Sequence, residues 1–537
     1  MKKAIIGISV AVVWLVCVIA FSVAAMGGTD SDHQFTVLTV KEDAVKDYNT
    51  MPVFQQLAED TGVEVHWIYN TSTQYANNPD PVGIKGIDAI YHAGFSNLKL
   101  YDYGRRGRIV AIDKYVEKCM PNFNKILKAR PDIAEALKSP DGHIYSLPRV
   151  EEMGLKAYPN ILYLNKKWVK RLMDEGKMPA GMTLTEADLV DGLDLYRSEF
   201  KAILQKFNEN NMDDSIPDTN EVPLAFVSGN WQGNESDLVA SFGVPENREH
   251  KTIVDGKITF TVEDENWYSA VRELADWYQR GLIRSASFTQ ADTDFLARGQ
   301  DGRYGAFYWW EKDTVLAKDK RDDYIIVLPL KNDDGSRYVG LSNEQEIEKG
   351  ECVILDACED KEGLLSYFDK FFEPEYSAQL NYGSIKSGAF LSEKVGGKLI
   401  PNDDHGVQSA DDFRMKNAPY GVVYLTEEVW AHSVEMESRA KLRLENLQNY
   451  VKPYTMEKVA SIPNLNYTQD ELTTLNTYES TLANNIASWF TVSITGGSLP
   501  SRDSWQSMLN TNRTSIDTVL RINQAAYDRY LAAINKA

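Results

Sequence analysis

Residues 35–70 read FTVLTVKEDAVKDYNTMPVFQQLAEDTGVEVHWIYN. FTVLTV (35–40) is β-branched and apolar, the composition of a strand. VEVHWIYN (63–70) reads as a second strand, and IDAIYHAG (87–94) as a third. Between the first two, Val53, Phe54 and Leu57 recur at helical spacing. Strands that alternate with helices imply an α/β domain with a parallel sheet. Ligands of such sheets sit beyond the C-terminal strand ends. Residues 92–97, and Phe95 among them, are therefore candidate cleft residues.

The same reading extends along the chain. DGHIYSLPRVEE (141–152) reads as a turn and a short strand. ILYLNKKW (161–168) reads as a strand running into a helix, and a domain crossing is expected between Pro148 and Asn160. After DGKITF (255–260), a helix opens at Thr261 with Glu263 and Asp264 in its first turn. Its Trp267, Ala270, Val271 and Leu274 share one face, which reads as core. From Thr426 on the chain is mostly helical, over 426–450, 468–490 and 515–533.

At 537 residues the chain exceeds one hydrophobic core, so at least two domains are expected. A formal net charge of −21 argues against a nucleic-acid partner, which needs clustered Lys and Arg. The N-terminus pairs Lys2 and Lys3 with a nearly unbroken apolar run over 4–26. Three readings stay open: a signal peptide cut after Ala24, an uncleaved anchor, or lipidation at Cys17. All three put the rest of the chain outside the cytosol, past a polar linker at 27–34. Cys119, Cys352 and Cys358 remain, either as three buried thiols or with Cys352 paired to Cys358. GxSxG, HExxH, P-loop and GxGxxG motifs are all absent from the sequence.

RYGAFYWWEKD (303–313) puts aromatics on both faces of a short strand. Core packing accounts for aromatics in a strand buried on both sides. The C-terminal end of the run, however, is where a cleft lies. An indole covers the apolar face of a sugar ring while polar neighbours bind its hydroxyls. Trp309 and Trp310 are therefore candidate ligand residues. Trp310, further past the strand end, is the better one, and Trp309 the better core residue. Trp231, in SGNWQG, and Arg149, at the crossing, are further candidates.

The ordered landmarks GHIYSLP, LYLNKKW, EVPL, DGKITF, WYQRGLI, GAFYWW, residues 357–383 and INQAAYDRY resemble the family 1 extracellular solute-binding proteins, in their large lipoprotein-type branch. The resemblance runs over about 35–530. It implies a two-lobe α/β fold like that of the type II periplasmic binding proteins, with a ligand cleft between lobes that close over a sugar, and a helical C-terminal tail. The implied division is 1–26 leader, 27–34 linker, 35–158 plus 350–398 for lobe 1, and 159–349 plus 399–537 for lobe 2. The implied function is capture of a sugar or oligosaccharide by a monomer outside the cell, for the membrane permease of an ABC importer, without catalysis. Two alternatives stay open: a secreted glycoside hydrolase or lyase, and an anchored surface glycan binder or sensor not coupled to transport.

Many close relatives in that family carry a calcium loop just before the EVPL position. Here Asn211, Asp213, Asp214, Asp218 and Glu221 are present, but Ile216 and Pro217 fall where a ligand and a flexible turn are wanted. The expectation is no cofactor, with calcium kept as the alternative.

Overall fold

The structure, a computed structural model, describes residues 34–154, 160–342, 346–406 and 410–535. The leader and linker at 1–33, the end of the first crossing at 155–159 and the last two residues lie outside the described residues.

Two sheets organise the chain. The first has six strands in the spatial order Val423–Leu425, Leu147–Glu151, Ile347–Ile354, Ala89–Tyr91, Gln34–Val40, Glu64–Asn70. The three strands read from residues 35–94 are present and parallel. The sheet as a whole is mixed, because Ile347–Ile354 runs antiparallel to both of its neighbours. Connectivity is the reason. Leu147–Glu151 leaves this sheet for the other lobe, and Ile347–Ile354 returns from it, entering at the opposite end.

The second sheet mirrors the first. Its order is Tyr324–Val327, Ile161–Asn165, Tyr304–Trp309, Val222–Ala225. Here Ile161–Asn165 is the incoming strand, antiparallel to both neighbours. This register places the site. Ile161, the first residue past the crossing, pairs with Trp309, and Glu348, just inside the return crossing, pairs with Arg149. Trp309, last in its strand, and Arg149, in mid-strand opposite Glu348, therefore lie where the chain passes between lobes.

Each sheet has its own core. Tyr91, Phe123, Leu147 and Phe368 anchor the first. Trp168, Phe200, Leu274 and Trp277 anchor the second. Each such side chain contributes about 1.5–3 kcal/mol by leaving water. The Tyr304–Trp309 strand is buried on both faces: Phe307 and Trp309 pack into one cluster and Tyr308 into another. The helix after DGKITF is Glu265–Gln279, capped by the Asp264 carboxylate on the Asn266 N–H at 2.8 Å, with Trp267 and Trp277 fully buried. Two long helices, Gln469–Thr495 and Arg502–Ile534, close the second lobe. Trp505 stacks on Tyr268 with ring centres 5.1 Å apart.

The lobe boundaries need one correction. Residues 399–537 do not all join lobe 2. Val423–Leu425 pairs in parallel with Leu147–Glu151 in the first sheet, and Trp430, Val434 and Ala440 lie in the first core. The chain crosses again only through the Ser438–Asn446 helix, after which Leu447 and Val451 join a second-lobe cluster. A three-residue strand has too little periodicity to read from sequence. Cys119, Cys352 and Cys358 are all free thiols. Among the described residues no helix is long and apolar enough to cross a membrane.

Candidate functional site

A cavity of about 650 Å³ opens where the two sheets and the Ser438–Asn446 helix meet. The first lobe supplies Arg149, Glu151, Arg414 and Tyr420, and the second supplies Trp231 and Trp310. The sheet ends at Trp309, and Trp310 turns out of it, half-buried, into this cavity. Trp231 meets it edge to face, with ring centres 5.2 Å apart and planes at 88°. The guanidinium of Arg443 lies 4.8 Å from the centre of the Trp310 ring.

The backbone that carries Trp231 is tightly fixed. Gly233 has φ +66° and lies flat on the Trp309 ring, where a Cβ would come within 2.2 Å of Cε3. Only glycine fits both the left-handed backbone and that approach. The side chain of Asn160, at the crossing, accepts the Gly233 N–H at 2.6 Å. Trp309 thus works from below as the floor on which the Trp231 turn rests.

The opposite wall is polar. Glu151 accepts hydrogen bonds from Asn381 at 2.5 Å and the Tyr382 hydroxyl at 3.2 Å, and it pairs with Arg149 and, at 3.3 Å, with Arg414. Burial pushes the Glu151 carboxyl up, but Arg149, Arg414 and Asn381 outweigh it and hold it down at about 2. Glu151 is therefore an ionised anchor that fixes the two guanidinium groups. Glu311, next to Trp310, is 5% exposed. It accepts from the Thr314 hydroxyl at 2.6 Å and pairs with Arg439 at 3.2 Å, which ties the crossing helix to the second lobe. Burial pushes its carboxyl up against the pull of Arg439. Tyr420 has φ +55°, a strained value for a non-glycine residue, and lies under the Arg414 guanidinium at 5.2 Å.

Three donors in this cavity are enclosed yet have no protein acceptor: Arg149 Nη1, Arg443 Nε and Trp310 Nε1. An enclosed N–H without an acceptor costs about 1–3 kcal/mol. A ligand rich in hydroxyl oxygens would satisfy all three, and the indoles would cover its C–H faces.

Of the five residues read from sequence, the structure brings Arg149, Trp231 and Trp310 together. Trp309 is corrected to core, and Phe95 lies outside this cavity, on the wall of a separate recess between the lobes. Trp309 is fully buried and stacks on Phe295 at 4.8 Å, because it shares the inward face of its strand with Phe307. Phe95 is 6% exposed and wedged between Tyr75 and Tyr103 at 6.3 and 6.2 Å. Sequence reading missed Glu151, Arg414, Tyr420 and Arg443. The strained backbone of Tyr420 and the long-range ion pairs have no local sequence signal.

No family model matches the chain. Its sequence is 26% identical over 506 residues to the fructooligosaccharide ABC transporter substrate-binding protein FusA of Streptococcus pneumoniae, which covers 91% of this chain and 89% of that protein. The structure of FusA in complex with kestose superposes with a TM-score of 0.81 at 24% identity, covering 93% of this chain and 99% of the other. An HMO-binding, ABC-transporter-associated solute-binding protein from Bifidobacterium longum infantis superposes at 0.76 with 17% identity, covering 93% and 99%. This chain is a homologue of FusA. It has the two-lobe fold of the solute-binding proteins.

A second FusA structure, that of an EF-hand mutant in complex with fructo-nystose, matches equally well at 0.81. In this chain the loop where calcium was the alternative expectation, 211–221, packs on its own groups. Met212 and Ile216 turn their side chains inward, 3% and 9% exposed. Both carboxylate oxygens of Glu221 accept the Met212 N–H at 3.0 Å, and one accepts the Asp213 N–H at 2.6 Å. Asp213 caps Ser215 through its N–H and hydroxyl, at 2.9 and 2.6 Å. Arg171 supplies a positive charge of the chain's own, donating to the Met212 carbonyl at 3.3 Å and to Asp214 at 3.2 Å. The Asp218 side chain lies outside the described residues. The Met212 and Ile216 side chains offer no oxygen, and the Glu221 carboxylate is engaged by backbone N–H groups, so the loop supplies fewer side-chain oxygens than a calcium loop uses.

Proposed function

We propose that this chain captures an oligosaccharide outside the cell and delivers it to the membrane permease of an ABC importer. The observation that carries the reading is the perpendicular Trp231–Trp310 corner, set at the mouth of both sheets with enclosed, acceptor-seeking donors beside it. Trp231, Trp310 and Arg149 bind ligand in this reading, with Arg414, Tyr420 and Arg443 added to them. FusA is described with kestose and fructo-nystose, so fructooligosaccharides are the first ligands to try.

The leader at 1–26 carries the chain out of the cytosol, and the chain acts there as a monomer. Lobe 1 comprises about 35–154 with 347–440, and lobe 2 about 160–342 with 447–535. No chemistry is performed on the ligand. Glu151 is held ionised by two arginines and is no proton donor at neutral pH. The chain needs no calcium, because Arg171 and Glu221 already hold the loop that would take it.

A thermal-shift screen of the purified protein against a glycan panel tests the reading. A true ligand raises the melting temperature by an amount that grows with the logarithm of its concentration once that exceeds Kd. A panel of fructans, human-milk-type and mannose-type oligosaccharides that leaves the melt unmoved throughout counts against it.

A further inference from the structure

The cavity beside Trp310 does not end at Arg248. The same residue lines a larger cavity of about 750 Å³ within the second lobe. That cavity lies between the segment 228–251 and the Gln469–Thr495 helix. A third recess, between the lobes, shares Glu348 with the first cavity and Glu249, Lys251 and Glu479 with the second. The three share wall residues around 248–251 and so lie next to one another.

The lining of the second-lobe cavity suits a neutral sugar chain. Trp267, Phe288 and Phe490 give it an aromatic floor. The helix wall presents Asn476, Ser480, Ala483 and Ala487, all exposed and at one helical stripe, so nothing bulky blocks entry. The charged groups at its rim are paired among themselves, Lys251 with Glu249 at 3.5 Å and with Glu479. Two enclosed polar atoms are not paired. Glu235 Oε1 accepts the Ser228 hydroxyl at 2.7 Å, while Oε2 meets no donor. Trp267 Nε1, on a fully buried ring, meets no acceptor. A sugar hydroxyl both donates and accepts, so one ligand type serves both atoms. At close packing the 650 Å³ cavity holds about three hexose units. A longer chain must extend beyond it.

We propose that the second-lobe cavity is an extension subsite, which takes the units of a neutral oligosaccharide beyond those held at Trp231 and Trp310 and so makes the protein prefer longer chains. This rests on the sugar-capture reading above.

The test is calorimetry on the full chain with kestose, nystose and fructo-nystose, for the wild type, Ala483→Trp and Glu235→Gln. Ala483 is exposed, so a tryptophan there fills the groove without entering the core. The expected result is affinity that rises about tenfold or more from the trisaccharide to the pentasaccharide, in line with one buried contact of hot-spot strength. Ala483→Trp should abolish that rise and Glu235→Gln should reduce it. Affinity independent of length, or a rise that both variants leave intact, overturns the subsite while leaving sugar capture standing. A folded protein that binds none of the three overturns the subsite and the fructan reading together.

Discussion

The rings of Trp231 and Trp310 stand at 88° to each other, 5.2 Å between centres, on segments that meet only in the folded second lobe. Perpendicular indoles leave a re-entrant corner rather than a stack. The Arg443 guanidinium lies 4.8 Å from the Trp310 ring centre, in cation–π range. In the proposed reading, this aromatic corner beside unpaired donors is the surface on which a ring-shaped, hydroxylated ligand sits.

Truncation of Trp310 to alanine should lower affinity for the bound oligosaccharide by about 1–3 kcal/mol, the range for a desolvated aromatic anchor. Ligand-free stability should change by only about 1 kcal/mol, because the ring is only partly buried. A melt and a ligand titration on the same preparation separate the two effects.

Trp309→Ala should behave in the opposite way. Its ring is fully buried against Phe295 and under Gly233, so removal should cost about 3–5 kcal/mol of stability. Because the Trp231 turn rests on that ring, affinity should also fall modestly, even in the folded fraction. Denaturant unfolding gives the first number. Unchanged stability would show that the ring is not packed as described.

Much of the fold was legible in the sequence, and the reason is periodicity. The strands over 35–94, the 265–279 helix and the two tail helices announce themselves by apolar spacing within a single segment. The exchange of strands between lobes was not legible. It is set by where the chain crosses, and that shows only in pairings such as Glu348 with Arg149. The cavity was half legible. That Trp310 leaves the sheet and lines it could be read, because a strand parity argument is local. Arg414, Tyr420 and Arg443 could not, because they lie far along the chain and reach the cleft through a short strand and a third crossing.

Acid should act through Glu151. Its folded carboxyl sits at about 2, below the usual unfolded value near 4.3. A depressed carboxyl contributes stability that is present above the unfolded value and is lost as pH falls through the folded one. Glu151→Gln should therefore cost about 3–5 kcal/mol at neutral pH, since it strands the Arg149 and Arg414 charges. The gap from wild type should narrow between about pH 4.5 and pH 2. Urea midpoints across that range check it, and a gap independent of pH would remove Glu151 from its assigned role.

Calcium should leave the melting temperature unchanged. Chelator and millimolar calcium should give curves within about 1 °C, since no folded-state site gains by mass action. Arg171→Ala should lower stability by roughly 1 kcal/mol through loss of its bonds to Met212 and Asp214. A rise in melting temperature at micromolar calcium would show that the loop is a metal site after all.

Capture without chemistry is tested most directly by titrating the protein with kestose and fructo-nystose in a calorimeter and then recovering the sugar. Saturable binding near one to one is expected, lost in Trp310→Ala, with the sugar recovered at its original length. Shortened products that accumulate in proportion to protein, or no saturable heat with either sugar from a folded sample, would contradict it.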